Sequence, residues 1–127
     1  MWLDPIELSR WAYEYCLFKE DKPEIRKYIT EFYWAYIYCR NVKDRPEIRK
    51  LITDSKWSYC YCKWIKDRPE MREKIIKSEW AYYYCKYKED RPEIRKNITD
   101  CYWSKEYRRL KNSPAIRKYI KEKGKCG

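Results

Sequence analysis

The sequence predicts an all-α fold, a short α-solenoid of about five helix-turn-helix hairpins that repeat every 23 residues. Tryptophan recurs at this step, at Trp11, Trp34, Trp57, Trp80 and Trp103. Proline keeps the same step, at Pro23, Pro46, Pro69 and Pro92, before Pro114 arrives one residue early. A fixed period of this length is typical of stacked helical units. No alternating apolar run bounded by turn residues indicates a strand.

Each unit begins with a long helical segment whose motif is Trp, a small residue, Tyr, any residue, Tyr and Cys. In the fourth unit Trp80, Ala81, Tyr84 and Cys85 fall within one arc of roughly 140°, because a helix turns by about 100° per residue. This arc is the expected core face, where the small residues admit a neighbouring helix. Long helices are predicted over residues 5–19, 32–43, 55–66 and 78–89, and Asp54 and Asp100 are the expected N-caps of the third and fifth.

A short helical segment follows each long one and starts at an Asp-x-Pro-Glu motif. Proline fits the first turn of a helix, where its missing N–H would have no partner in any case. In Asp44 to Glu47 the aspartate is expected to cap the helix and the glutamate to complete a capping box. The short helices are predicted over residues 22–30, 45–53, 68–77 and 91–99. Each carries an apolar i,i+4 pair such as Ile48 and Ile52.

The whole chain, residues 1–127, is expected to form one helical repeat domain. Its parts are an N-terminal cap with the first long helix (1–20), the regular repeats (21–100) and a degenerate C-terminal capping repeat with a tail (101–127). At the first end the residues expected to fold over the open core are Trp2, Leu3, Ile6 and Leu8. In the last unit Lys105 replaces a tyrosine and Arg108 a cysteine, as expected where an outer face meets water.

Composition bounds the chemistry of the chain. The formal net charge of +11 favours anionic partners, and solvated helix faces with interspersed acidic residues are the alternative explanation. Without histidine, a Cys-His nucleophile pair and any His-containing metal site are excluded. We therefore expect no enzyme activity, no metal and no cofactor.

Four of the seven cysteines occupy one core position of the repeat, and we call Cys16, Cys39, Cys62 and Cys85 the repeat cysteines. Packed helices are too far apart for equivalent cysteines to form a disulfide bond without distortion. The repeat cysteines are therefore predicted to be small buried side chains in a reducing compartment. Cys126, in the tail, is the expected exposed thiol. The chain has no signal peptide or transmembrane run, so a cytoplasmic location without membrane contact is expected.

Two surface patterns are candidate binding sites. In one pattern, the first tyrosine of each motif is followed four residues later by a basic residue. The pairs are Tyr36 with Arg40, Tyr59 with Lys63 and Tyr82 with Lys86, and in the last unit Lys105 with Arg109. Interleaved aromatic rings and cations are typical of single-stranded nucleic-acid binding. In the alternative interpretation these tyrosines pack against the adjacent hairpin and the cations merely cover them.

The second pattern is a basic ladder on the short helices, formed by Arg26, Arg49, Arg72, Arg95 and Arg117. It could grip phosphates or acidic side chains. Alternatively, glutamate of one unit pairs with arginine of the next and fixes the stacking, with little energy from each surface pair.

The segment Trp34 to Cys39, followed by Val42 to Glu47, resembles the short Trp-Ala-Tyr-x-Tyr-Ala and Pro-Glu helical repeats of uncharacterised bacteriophage proteins. This resemblance implies a helical repeat and, for function, a phage accessory protein in the host cytoplasm. The predicted function is a non-enzymatic scaffold that binds a macromolecule, a protein in preference to nucleic acid. Single-stranded nucleic-acid binding and structural self-assembly are the alternatives.

Overall fold

The computed structural model describes residues 3–112, which form an all-α array of alternating long and short helices without strands. The long helices are α1 (Pro5–Phe18), α3 (Phe32–Asn41), α5 (Ser55–Trp64), α7 (Ser78–Tyr87) and α9 (Cys101–Lys111). The short helices are α2 (Pro23–Arg26), α4 (Pro46–Arg49), α6 (Pro69–Arg72) and α8 (Pro92–Arg95). The all-α prediction is confirmed, whereas the final short helix expected at Pro114 lies outside the described residues.

Successive long helices pack side by side, since α1 contacts α3, α3 contacts α5, α5 contacts α7 and α7 contacts α9. The predicted core face is confirmed at this interface. Ala35 and Ala81 are fully buried, as are the second tyrosines of the three central motifs, Tyr38, Tyr61 and Tyr84, and the repeat cysteines are buried beside them. Small side chains let the helices approach, and the tyrosine rings fill the remaining space. The superhelical path of a solenoid stays a prediction.

The short helices are shorter than expected, because each forms only one α-helical turn. In the first unit the chain continues past Arg26 with i→i−3 bonds, from Tyr28 N to Ile25 O and from Ile29 N to Arg26 O. This tighter winding still places an apolar i,i+4 pair towards the core, as Ile48 and Ile52 show. The predicted apolar face is therefore confirmed, although the α-helical part of each short segment is only about half as long as expected.

Helix capping divides the predicted aspartates into two groups. Asp54 caps α5 by accepting from Trp57 N at 3.2 Å, and Asp100 caps α9 by accepting from Tyr102 N at 2.9 Å, as predicted. The prediction that the aspartate and glutamate of Asp-x-Pro-Glu form a capping box is wrong. The N-cap of α4 is Arg45, which makes no side-chain capping bond, and Asp44 lies one residue earlier. The carboxylate of Asp44 is engaged elsewhere.

The predicted N-terminal cap is wrong for Leu3 and Ile6, whereas the Leu8 side chain is half-buried. Leu3 and Ile6 are 42% and 56% exposed, so neither side chain covers the open end of the core. Trp2 lies outside the described residues. Among residues 3–112 no helix combines the length and the apolar character that crossing a membrane requires.

Candidate binding surface

Each aspartate of the Asp-x-Pro-Glu motif lies at the centre of a polar clamp between two units. Asp44 accepts hydrogen bonds from the Tyr61 hydroxyl and from Arg49 Nε, the latter at 3.0 Å. Arg68 completes the clamp, because its Nη2 donates to Asp44 at 3.2 Å and its Nε to the Tyr61 hydroxyl at 2.7 Å. Asp44 and Arg49 belong to one unit and Tyr61 and Arg68 to the next. The clamp therefore joins a long helix to the preceding short one.

The whole clamp recurs at Asp21, which accepts from Arg45 of the next unit at 3.1 Å, and its tyrosine–aspartate bond recurs at every described unit boundary. We call Asp21, Asp44, Asp67 and Asp90 the clamp aspartates. The tyrosine hydroxyl donates to the carboxylate at 2.7 Å for Tyr38 and Asp21, at 2.6 Å for Tyr84 and Asp67, and at 2.8 Å for Tyr107 and Asp90. Burial by itself would raise the pKa of the first three clamp aspartates. Hydrogen bonds from tyrosine and arginine outweigh it and hold each pKa below its ordinary value.

The basic ladder predicted on the short helices belongs to these clamps. Arg26, Arg49, Arg72 and Arg95 pair with the clamp aspartate of their own unit at 3.0, 3.0, 2.9 and 3.5 Å, respectively. Arg117 lies outside the described residues. Ion pairs between units also occur, but in the reverse order to the prediction. Here the arginine belongs to the earlier unit and the glutamate to the later one, since Arg49 lies 3.6 Å from Glu70. The ladder is therefore part of the scaffold and does not offer unpaired cations to a ligand.

The tyrosines of the predicted stripe do not form an exposed surface. Tyr36, Tyr59 and Tyr82 are only 2%, 5% and 6% exposed, because each packs on the tryptophan of the next unit. The Tyr36 and Trp57 ring centroids, for example, are 5.2 Å apart. The packing alternative is therefore the correct one, and these rings are not available to stack on bases.

The cations of the same stripe do reach the surface. Arg40 Nη1 lies 3.5 Å from the Tyr36 hydroxyl, and Lys63 Nζ lies 5.9 Å from the centroid of Tyr59. Lys86 has the same relation to its buried tyrosine, at 5.9 Å. At the end of the stripe Lys105 is exposed, and Arg109 forms an ion pair with Glu106 at 2.7 Å. In the centre of the predicted stripe, therefore, the three cations reach the surface and the tyrosine rings beside them are buried.

Two exposed aromatic residues, which the sequence analysis missed, lie between these cations and form one surface with them. Trp64 and Tyr87 follow Lys63 and Lys86 directly in the sequence, and they are 58% and 53% exposed. Arg40 lies 5.7 Å from the Trp64 ring, and Lys63 lies 5.0 Å from Trp64 and 4.8 Å from Tyr87. Lys86 lies 5.1 Å from Tyr87. We call Arg40, Trp64, Lys63, Tyr87 and Lys86, in this spatial order, the cation–aromatic row.

The ends of α3, α5 and α7 position the cation–aromatic row. Its cations lie six residues after the motif tryptophan and its rings seven residues after it, so each unit places them at one height. Phe18, Asn41 and Leu110 occupy the ring position in the other units. Arg40, Lys63 and Lys86 form no ion pair with any other described residue, in contrast to Arg109. The row is therefore electropositive at its centre and ends where paired or uncharged residues take over.

The cysteine and carboxylate side chains are the remaining candidates for metal binding and thiol chemistry. Residues 3–112 contain no group of three or more Cys, Asp or Glu side chains placed to hold a metal ion. Burial raises the pKa of Cys39, Cys62 and Cys85 to about 12, which keeps these thiols protonated. Burial likewise raises the pKa of Cys60, despite Lys56, Lys63 and Arg40 nearby.

Two open grooves lie between successive short helices, one between α2 and α4 and the other between α6 and α8. Their linings carry both signs of charge, with Glu47 and Lys50 in the first groove and Glu93 and Lys96 in the second. This mixed lining does not favour one charge of ligand over the other. The cation–aromatic row is therefore the better candidate for a binding site. Comparison with known proteins adds no further candidate, since no family model, curated protein or solved structure matches the chain.

Proposed function

We propose that the protein is a non-enzymatic helical-repeat scaffold that binds an anionic macromolecule on the cation–aromatic row. One contrast supports this proposal. The clamp arginines face aspartates inside the array, whereas Arg40, Lys63 and Lys86 alternate with exposed rings and form no ion pair with a described residue. A repeat array offers an extended surface, which suits a chain-like partner.

The extended form of the row supports a macromolecule over a small molecule. Its members come from three successive long helices, so a ligand that touches Arg40 and Lys86 together must span α3, α5 and α7. A small anion would meet one cation, on a surface where water screens the attraction strongly. Affinity for a polyanion should instead grow with its length, because each further charge reaches another cation.

Length dependence is therefore the experiment that tests the proposal. Binding of acidic oligopeptides and single-stranded oligonucleotides of increasing length would be measured by isothermal titration calorimetry. We expect the affinity for at least one series to rise until the ligand spans the row. The triple variant Arg40→Gln, Lys63→Gln, Lys86→Gln should then lose most of this rise, whereas Arg109→Gln, which alters an ion-paired cation, should keep it. Equal affinity for monomers and oligomers, or an unaffected triple variant, would contradict the proposal.

The biological setting remains a prediction from the sequence. The resemblance to bacteriophage repeats supports a phage accessory protein in the host cytoplasm, where free cysteines are stable. Self-association of the array is likewise a prediction, and the exposed Leu3 and Ile6 at the first end are compatible with it.

A further inference from the structure

We propose that the ligand of the cation–aromatic row is single-stranded nucleic acid, an inference that rests on the proposed function of this surface. Bases stack on Trp64 and Tyr87, and the intervening phosphates meet Arg40, Lys63 and Lys86. The chemistry is that of sequence-tolerant binding, because every base has a flat face that can stack on an aromatic ring.

The availability of the two rings is the first argument. Most aromatic residues of this chain pack on one another within the array, as Tyr36 does on Trp57 and Tyr59 on Trp80. Trp64 and Tyr87 are more than half exposed. The described contacts of Trp64 are with the cations Arg40 and Lys63, whereas Tyr87 also stacks on Tyr83, with 6.1 Å between the ring centroids. An exposed indole is unfavourable in water, and a stacked base would cover it.

The second argument is the alternation of charges and rings. Lys63 lies between Trp64 and Tyr87, at 5.0 and 4.8 Å from their centroids, and Arg40 and Lys86 lie on the outer sides. A single strand presents bases and phosphates in alternation along its length, so the two orders correspond. The contact of Lys86 with Tyr87 raises the pKa of this lysine above its ordinary value and so favours its charged form.

The combination of features favours a single strand over two other polyanions. An acidic polypeptide would use the three cations, but it has no general use for two exposed rings. In a DNA duplex the bases are already stacked on each other, so a protein ring reaches a base face only after unstacking, which costs energy. Unpaired bases are free to stack on protein rings. The row also rests on closely packed side chains, because the buried rings of Tyr59 and Tyr82 lie beneath Lys63 and Lys86.

The test uses fluorescence anisotropy of a labelled oligothymidine with the full chain at physiological salt. Trp64→Ala and Tyr87→Ala should each raise the dissociation constant by roughly 5- to 150-fold, as expected for the loss of one stacked base. Trp64→Phe keeps a stacking ring and should restore most of the affinity. Phe18→Ala is the matched control, since Phe18 is 74% exposed at the equivalent position of the first unit but lies outside the row. It should bind as the wild type does.

A salt series separates phosphate contacts from stacking. Lys63→Gln should reduce the slope of log K against log salt concentration by about 0.7 if Lys63 neutralises one phosphate of a single strand. Trp64→Ala should lower the affinity with little change of slope, because stacking releases few counterions. Circular dichroism would confirm that each variant keeps its fold, as expected for side chains on the surface.

Three outcomes would overturn the inference. These are equal affinity for duplex and single strand, an affinity that does not respond to Trp64→Ala and Tyr87→Ala, and an equal loss in Phe18→Ala. If an acidic oligopeptide binds the row with length-dependent affinity while oligothymidine does not, the partner assignment fails and the scaffold function stands. If neither polyanion binds, both proposals fail.

Discussion

Replacing Asp44 with asparagine should destabilise the array more than any change at its surface. The Asp44 carboxylate receives three donor groups, from Tyr61, Arg49 and Arg68, and two of these belong to the next unit. Asparagine keeps one acceptor oxygen but removes the negative charge. Its amide group then faces either Arg49 or Arg68, and each of these guanidinium groups is itself a donor. The substitution therefore weakens a contact within the unit and the contact between two units at once.

The magnitude follows from the burial of this clamp. Removing one partner of a fully buried ion pair costs about 3–5 kcal/mol, because the other charge is left without compensation. The side chains of Asp44 and Arg49 are 20% and 11% exposed, so water offsets part of the loss. Glu70 also lies 3.6 Å from Arg49 and retains some compensation. We therefore expect a loss of about 2–4 kcal/mol for Asp44→Asn, and about 1–2 kcal/mol for Tyr61→Phe, which deletes only hydroxyl contacts.

Urea unfolding followed by far-UV circular dichroism would measure these losses as changes in the free energy of unfolding. Glu47→Gln is the matched control, since Glu47 is exposed at the start of the same short helix. It loses only an interaction with the helix dipole, of less than about 1 kcal/mol. If Asp44→Asn proved no more destabilising than Glu47→Gln, the clamps would not hold the units together.

Three further predictions concern the clamps, the tryptophans and the thiols. Because the pKa of the first three clamp aspartates lies below its ordinary value of about 3.9 in the folded state, the unfolded chain binds protons first as pH falls. Stability should be fully present above about pH 5 and decrease below it in urea titrations, with a smaller decrease in Asp44→Asn. Trp57→Ala should cost about 3–5 kcal/mol, because the ring fills the space beside Tyr36, whereas the exposed Tyr102→Ala should cost less than about 1 kcal/mol in the same assay. A wild-type-like Trp57→Ala would refute the assigned core face. Iodoacetamide with mass spectrometry should modify the exposed Cys101 in the native protein but the repeat cysteines only in denaturant. Rapid native labelling of the repeat cysteines would show that their helices open readily.

The fold could be predicted from the sequence because helical periodicity and the 23-residue step are both local signals. The long helices begin at the residues expected, and Asp54 and Asp100 cap them as the sequence indicates. The role of Asp44 could not be predicted in this way. An aspartate before Pro-Glu satisfies the local pattern of a cap, but its partners Tyr61 and Arg68 are 17 and 24 residues away. Only the stacking of units brings them together, and these stronger partners replace the capping bond.

For the predicted stripe, the sequence predicts surface exposure correctly for the cations and wrongly for the tyrosine rings. The tyrosine of the motif points away from the tryptophan of its own helix, and this direction suggested exposure. In the array the same direction leads onto the tryptophan of the next unit, as for Tyr59 and Trp80 at 5.7 Å. Trp64 and Tyr87 were missed because they are not part of the repeat motif. An available signal was the recurrence of an aromatic residue seven positions after the motif tryptophan in three of the five units, at Phe18, Trp64 and Tyr87.

The division of charge between clamps and row relates the stability of this protein to its proposed function. The net charge of +11 already counts the carboxylate of each clamp aspartate against an arginine, so part of the excess positive charge resides on cations outside the clamps, among them the three of the row. The three cations of the row are set against aromatic rings, which stabilise a cation without neutralising it. A lysine held by Tyr87 keeps its full charge for a phosphate, whereas one held by a carboxylate would not. Aromatic support therefore lets the long helices order Arg40, Lys63 and Lys86 in a repeated register and leaves their charge available to the polyanion that we propose as the ligand.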